Sequence, residues 1–239
     1  MTITYISCYL SIHQVPVCNA FYDLLGDDFK YIATNEMPSW RVISGYSDLN
    51  SKYSYVVKAY ENQQFAYSLA DNSDIVIIGS ASDKYIVNRL KNNKLTFRCC
   101  ERFYKEGNNK SYVRDYLASW LHHGRFQKMP LYMLCASAYT SIDCYRFNNY
   151  RGKVFKWGYF PETKEYDLDL LFENKRDELI QLLWVGRLID WKHPEKAIEV
   201  ASYLKNNSVP FRLNIIGDGE LFDYLSNLID INGLKEEVY

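Results

Sequence analysis

Apolar positions come in short runs separated by polar, turn-forming residues, and the runs alternate between two periods. Residues 3–10 are a β-type apolar run and predict a first strand. A loop with His13, Gln14 and Pro16 follows, then a helical pattern over 17–25 that ends near Gly26. Residues 29–34 predict a second strand, 35–52 are polar and turn-rich, and 55–69 suit a helix. The cleanest strand of the first half is Asp74-Ile75-Val76-Ile77-Ile78-Gly79, a continuous β-branched run of the kind a strand buried on both faces requires. The spacing then predicts a helix over 82–91, a strand over 95–100, a helix over 111–126, a strand over 131–137, a short helix over 138–147 and a strand over 153–159. Strands alternating with helices imply βαβ units around a parallel sheet, with right-handed crossovers placing helices on both faces.

The composition turns acidic and polar over 160–175, which reads as a linker. A second alternation follows: a strand over 179–188, a helix over 194–206 and a strand over 211–217. The helix carries Ala197, Ala201 and Leu204 on one face, with Ile198 beside them. Gly219 and Glu220 open another helix that Gly233 ends, and 237–239 begins a third strand. The expected organisation is therefore a Rossmann-like domain over 1–160, a linker over 161–178 and the first part of a second Rossmann-like domain over 179–239.

Composition adds limits. The 239 residues carry a net charge of −1, which gives no whole-chain argument for nucleic acid or an anionic surface. Tyrosine is abundant at 22 residues, a pattern that suits both sugar sites and a tyrosine-rich core. Six cysteines without a CxxC pair read as reduced, mostly buried thiols. With no signal-peptide pattern and no apolar run near the roughly 20 residues that span a bilayer, a cytoplasmic location is expected.

Two places carry candidate chemistry. In Val185-Gly186-Arg187-Leu188, followed by Asp190-Trp191-Lys192-His193-Pro194, a strand ends, an arginine and a lysine lie five residues apart, and a helix follows. Ligands of open α/β sheets bind beyond the carboxyl ends of strands. There, Arg187 offers a fork and Lys192 a point charge for a diphosphate, unless both are simply solvated loop charges. In Ile215-Ile216-Gly217-Asp218-Gly219-Glu220 a strand runs through a GxG turn into a helix, whose free N–H groups favour anions, although tight βα turns use glycine in any case. Neither a P-loop nor a GxGxxG fingerprint occurs, which counts against an unrelated nucleotide-binding enzyme. The adjacent His122 and His123 do not share a helix face and have no partner cluster, so no metal is expected.

The stretch 182–201 (Leu-Leu-Trp-Val-Gly-Arg-Leu-Ile-Asp-Trp-Lys-His-Pro-Glu-Lys-Ala-Ile-Glu-Val-Ala), followed by Phe-Arg-Leu-Asn-Ile-Ile-Gly-Asp-Gly-Glu-Leu at 211–221, resembles the start of the donor-binding domain of retaining, two-Rossmann (GT-B) glycosyltransferases of family four. Pattern, spacing and order agree over about sixty residues. The resemblance implies an α/β fold of GT-B type and a nucleotide-sugar donor, with Gly186, Arg187, Lys192, Gly217 and Gly219 as its binding residues. Electrostatic stabilisation of the leaving diphosphate would need no metal or other cofactor. Many relatives have glycine after the lysine, where this chain has His193.

The first half is similar, more loosely, to the acceptor domain of capsule and exopolysaccharide enzymes of that family. The supporting pieces are Ile12-His13-Gln14-Val15-Pro16, Phe97-Arg98-Cys99-Cys100-Glu101-Arg102-Phe103 and Phe155-Lys156-Trp157-Gly158-Tyr159-Phe160-Pro161. The resemblance offers His13 as a contact to the acceptor or the transferred sugar, and Glu101 and Arg102 as orienting groups. His13 could equally cap or hydrogen-bond within its loop, Glu101–Arg102 could be a structural ion pair, and Trp157 and Tyr159 are read as packing residues. The family's Glu-x7-Glu motif would lie beyond Tyr239, so the chain reads as truncated. The expected function is sugar transfer to a growing bacterial cell-surface or lipid-linked saccharide; the alternative is a non-catalytic remnant that binds saccharide or a partner. A lipid-linked acceptor implies peripheral docking at the inner face of a membrane, yet no helix stands out as basic and amphipathic enough to do it.

Overall fold

The computed structural model describes residues 1–43, 45–103, 112–173, 175 and 179–239. Ser44 of the turn-rich segment, Ser111 of the predicted helix, and positions 174 and 176–178 of the predicted linker lie outside these. The chain divides into two units, Met1–Thr163 and Lys164–Tyr239.

The first unit is built on a sheet of seven parallel strands: β1 (Ile3–Ser7), β2 (Phe29–Ala33), β3 (Val56–Lys58), β4 (Ile75–Ile78), β5 (Thr96–Cys100), β6 (Leu131–Cys135) and β7 (Val154–Lys156). Their order is β3-β2-β1-β4-β5-β6-β7, so the winding reverses between β1 and β4. The helices are α1 (Val15–Leu25), α2 (Ser39–Ile43), α3 (Gln63–Asn72), α4 (Val87–Lys91), α5 (Tyr112–His122) and α6 (Ala138–Arg146). Alternate residues of the central strands feed two cores. Ile6 is in register with Ile32 and Ile78, and all three join one core with Val76 and Met133. Tyr5 is in register with Tyr31 and Ile77 and joins the other with Ile3, Phe29 and Leu134. Period-two alternation thus puts apolar side chains on both faces, which is why these strands read as unbroken apolar runs.

At the amino end of β5 one arginine ties the crossovers together. Arg89, fully buried, donates from Nη1 to the carbonyls of Ala70 and Ser73, from Nη2 to Leu95 O (2.6 Å), and from Nε to Thr96 Oγ1 (2.9 Å). Burial lowers its pKa to about 10, and the ring of acceptors is what makes the buried charge tolerable. Burial pushes the Cys18 thiol up to about 12 and Cys99 and Cys135 to about 11, so these free thiols stay protonated.

Several boundaries differ from the sequence pattern. The helix expected over 55–69 is two elements. Val56 and Val57 pair with Tyr31 and Ile32 as edge strand β3, and α3 begins only after Asn62, whose side chain accepts from Phe65 N at 3.0 Å. The helix expected over 82–91 breaks into a 3-10 turn (Asp83–Tyr85) capped by Ser82, followed by α4. Ser137, assigned to a strand, caps α6 instead, accepting from Tyr139 N at 3.2 Å. The linker segment contains α7 (Leu168–Glu173), started by Asp167, which accepts from Leu170 N at 3.1 Å.

The second unit pairs β8 (Ile180–Val185) with β9 (Phe211–Ile216) in parallel, and adds α8 (Glu195–Asn206) and α9 (Phe222–Ile231). Its core gathers Leu188, Ile198, Ala201, Phe211, Leu213, Leu225, Leu234 and Val238. Val238 bridges to Leu213 in parallel, and α9 starts at Phe222 rather than at Gly219. No described helix is long and apolar enough to cross a membrane.

Candidate functional site

In the first unit, the carboxyl ends of β1, β4, β5 and β6 open into a cavity of about 400 Å³ at the point where the sheet order reverses, where open α/β sheets place ligands. His13, Glu101 and Arg102, widely separated in sequence, all line it. A second cavity of about 360 Å³ adjoins it and shares His13, Gln14, Ser80, Glu101 and Tyr159.

The loop that presents His13 is held from beneath. Gln14 Oε1 accepts from Ser11 N at 3.2 Å and lies 3.0 Å from the Tyr31 hydroxyl, while Gln14 Nε2 donates to the Tyr5 hydroxyl at 3.4 Å. His13 itself is exposed, makes no hydrogen bond among the described residues, and its ring sits 5.5 Å from that of Tyr159. It does not cap α1; Gln14 occupies that position. Tyr159 donates its hydroxyl to Glu101 Oε1, so the carboxylate is oriented by a neighbour on the cavity wall. Arg102 faces Asp143 Oδ2 with Nε at 3.5 Å and lies over the Tyr139 ring at 5.0 Å. Asp143, buried, also accepts from Phe103 N at 3.1 Å. Trp157 lines the cavity and packs edge-on against Phe160 at 5.0 Å.

Arg98 and His123 complete the wall. Arg98 Nη2 donates to Asp83 Oδ1 at 2.5 Å, and Arg125 takes the other oxygen of Asp83 at 2.9 Å. Arg98 Nη1 donates to His122 O at 3.2 Å, and its buried Nε has no hydrogen-bond partner among the described residues. His123 stacks on Phe103 at 4.3 Å, and its Nδ1 lies 3.1 Å from the Tyr150 hydroxyl. Burial, then the Arg98 charge, lowers its pKa to about 3, so the ring is neutral.

In the second unit, Gly186 and Arg187 follow β8, and Lys192 ends a short 3-10 turn before α8. Arg187 and Lys192 are exposed and have no ion-pair partner among the described residues; Arg187 lies 5.7 Å over the Trp191 ring. The GxG turn packs directly on this segment. A Cβ on Gly217 would lie 1.8 Å from Gly186 O, and one on Gly219, at φ 156°, would lie 2.5 Å from Leu188 O. Both glycines are therefore required by backbone approach, which Leu188 N donating to Asp218 O (2.9 Å) and Leu221 N donating to Leu188 O (3.0 Å) hold in place. His193 adopts the left-handed conformation, φ 51° and ψ 49°, where glycine carries no steric cost and histidine is tolerated. That accounts for the glycine of the resembling sequences at this position.

Residues 170–239 match the family model "Glycosyl transferases group 1". No curated protein matches the chain. Among solved structures, the fold is that of GT-B glycosyltransferases. The lipopolysaccharide outer core galactosyltransferase WaaB superposes with a TM-score of 0.63 at 15% identity; all of this chain aligns, to 67% of WaaB. HepE of Anabaena, solved with UDP and glucose, gives 0.61 at 12% identity, the whole chain aligning to 68% of HepE. TarM of S. aureus aligns with 71% of this chain at 12% identity and a TM-score of 0.47, and the aligned part is 33% of TarM. The chain thus spans about a third of TarM and about two thirds of WaaB and HepE. At these identities the likeness is one of fold.

Sequence reasoning brought His13, Glu101 and Arg102 forward but missed Arg98, His123 and Asp143. Arg98 stood within the very segment that carried the resemblance. Asp143 had no signal, because an acid inside a helical pattern reads as solvent-facing until the helix is placed.

Proposed function

We propose that this chain takes part in glycosyl transfer from a nucleotide-sugar to a saccharide acceptor. The observation that carries the reading is the pair of exposed cations, Arg187 and Lys192, just beyond the carboxyl end of β8 and within the segment that matches the glycosyltransferase model. A diphosphate there would meet a bidentate fork and a point charge, neither paired with an acid among the described residues. As the bond from the sugar C1 to the diphosphate oxygen breaks, both cations stabilise the negative charge left on the nucleotide. The new bond forms from C1 to an acceptor hydroxyl, whose proton leaves to a phosphate oxygen or a nearby base. The chemistry needs no resident metal.

The acceptor role belongs to the cavity of the first unit. His13 presents an uncommitted imidazole to it, while Glu101, oriented by Tyr159, and Arg102, backed by Asp143, position the acceptor. The finer reading is a retaining family-four enzyme acting on a cell-surface or lipid-linked saccharide at the inner face of a membrane. Calorimetric titration with UDP and with GDP tests the donor half. One nucleotide binds, and Arg187→Ala and Lys192→Ala each weaken it about tenfold or more. Both residues are exposed, so the variants fold. Unchanged affinity in both, or no binding of either nucleotide to the parent chain, overturns the diphosphate role.

A further inference from the structure

Helix α3 is polar along one side and almost uncharged. Of its ten residues only Asp71 is charged, whereas 24% of the whole chain is. A solvated helix face is ordinarily set with lysine and glutamate. Here two rows at offsets of four carry Gln63, Tyr67 and Asp71, and Gln64, Ser68 and Asn72, while Ala66 and Ala70 pack into the core. Asn88 of α4 and Asn92 at its end, again four apart, stand opposite. An open groove of about 700 Å³ runs between them, lined by both rows, both asparagines and Lys94. The charges in it are engaged: Asp71 Oδ2 accepts from Asn88 Nδ2 at 2.7 Å, and Lys94 Nζ donates to Asp71 O at 2.7 Å. The amides of Gln64 and Asn92 are exposed and have no partner among the described residues.

The groove continues toward the cavity of the first unit. Gln63 and Tyr67 also line an adjoining hollow of about 590 Å³, together with Thr34 and Asn35 beyond β2 and Ser82 and Lys84 of the turn after β4. Ser80 lines both this hollow and the cavity that holds His13, Glu101 and Arg102. One surface track therefore leads from the cavity, past Ser80 and Tyr67, and along α3, whose ten residues measure about 15 Å. Tyr67 is half-buried where the two hollows meet, its ring 4.6 Å from that of buried Tyr85, and the Gln63 amide hydrogen-bonds the Tyr85 hydroxyl. Amides that donate and accept at once, hydroxyls and a tyrosine ring suit a neutral polyhydroxyl: an amide spans neighbouring hydroxyls, and the ring covers an apolar sugar face. Nucleic acid would need a run of free cations, and the described lining holds only Lys84 and Lys94. A protein partner would need apolar anchors, which the groove along α3 lacks apart from Tyr67.

We propose that this track binds the body of a neutral, linear oligosaccharide, so that an acceptor whose end sits in the cavity extends several sugar units along α3. The ligand class rests on the lining of the groove alone. Its use as the acceptor's body rests on the proposed glycosyl transfer.

Surface plasmon resonance of the 239-residue chain over immobilised tri- and hexasaccharides of glucose, galactose, mannose and N-acetylglucosamine tests it. At least one hexasaccharide should bind, about tenfold more tightly than its trisaccharide, because the added units meet the amides along α3. The double variant Gln64→Ala, Asn92→Ala removes two exposed, unpartnered side chains, so the fold is kept. It should bring the hexasaccharide down to the affinity of the trisaccharide. Ser68→Trp, which fills the groove from an exposed position, should do the same. Failure of every hexasaccharide to bind overturns the proposal, as does equal affinity for the two lengths or undiminished hexasaccharide binding in either variant. Tighter binding of oligogalacturonate than of every neutral chain overturns the neutral class. UDP and GDP titration is a separate readout. A chain that binds hexasaccharide but neither nucleotide loses the transfer reading and keeps the groove; one that binds nucleotide but no hexasaccharide loses the groove alone.

Discussion

The two units hold their candidate residues in opposite ways. In the first, the charged side chains are engaged before any ligand arrives: Glu101 with Tyr159, Arg102 with Asp143 and Tyr139, Arg98 with Asp83. In the second, Arg187 and Lys192 stand without acid partners among the described residues, and it is the backbone that is committed, with Gly217 and Gly219 pressed against Gly186 and Leu188. Pre-engaged side chains fix direction and suit the orientation of an acceptor. Uncommitted cations on a rigid turn retain their full attraction for an incoming anion and suit a diphosphate. A motif must therefore be divided by what each residue touches: the glycines of the second unit are explained by packing, the cations beside them are not.

The sharpest way to break the comparison is Gly217→Ala. Its new methyl group would fall on a backbone oxygen that has no freedom to rotate away, so unfolding stability of the second unit should drop by about 3 kcal/mol or more, seen as an early denaturant transition. A variant as stable as the parent would return these glycines to the list of ligand residues. In the first unit, Asp143→Ala removes the partner of Arg102 and the carboxylate that accepts from Phe103 N, and should cost about 2 kcal/mol by the same measurement. A neutral result would mean that Arg102 is not held by Asp143.

His123 gives the comparison a pH axis. Its folded pKa, about 3, lies below the ordinary 6.5, so the unfolded chain binds a proton that the folded ring refuses. The contribution of this neutral ring is complete above pH 6.5 and is lost as pH falls toward 3, at up to about 1.4 kcal/mol per pH unit. His123→Asn should flatten the stability profile below pH 6.5, above the range where carboxylates titrate. An unchanged slope would show that the ring charges freely in the folded protein. The smallest effect belongs to His193→Gly. Relief of the left-handed backbone and the added freedom of the unfolded chain oppose each other, leaving stability within about 1 kcal/mol of the parent and nucleotide affinity untouched. A large loss of affinity would make the His193 side chain a ligand.

Much of this was legible beforehand. The apolar β-type run that begins at Ile3 and the β-branched run at Ile75–Ile78 predicted strands, the second one buried on both faces, because such burial leaves no polar alternation. The order Gly186-Arg187, Lys192, Gly217-Asp218-Gly219 located the turns of the second unit, because these sit at fixed offsets from strand ends. The 55–69 region misled, because its apolar spacing fitted a helix while Val56 and Val57 were claimed by the edge of the sheet and Asn62 supplied the cap.

Helix α5 marks the limit of the sequence. Its spacing determined that residues 113, 116, 117, 120 and 121 share one face, because 3.6 residues complete a turn wherever the helix lies. The sequence likewise determined the parallel alternation of strands and helices and the cations that follow β8. Only the tertiary structure decided which side of α5 meets the protein, which acid stands behind Arg102, and that His13, Glu101 and Arg102 share one cavity. Periodicity is local and follows from backbone geometry, whereas burial and pairing depend on which distant segment the folded chain brings alongside.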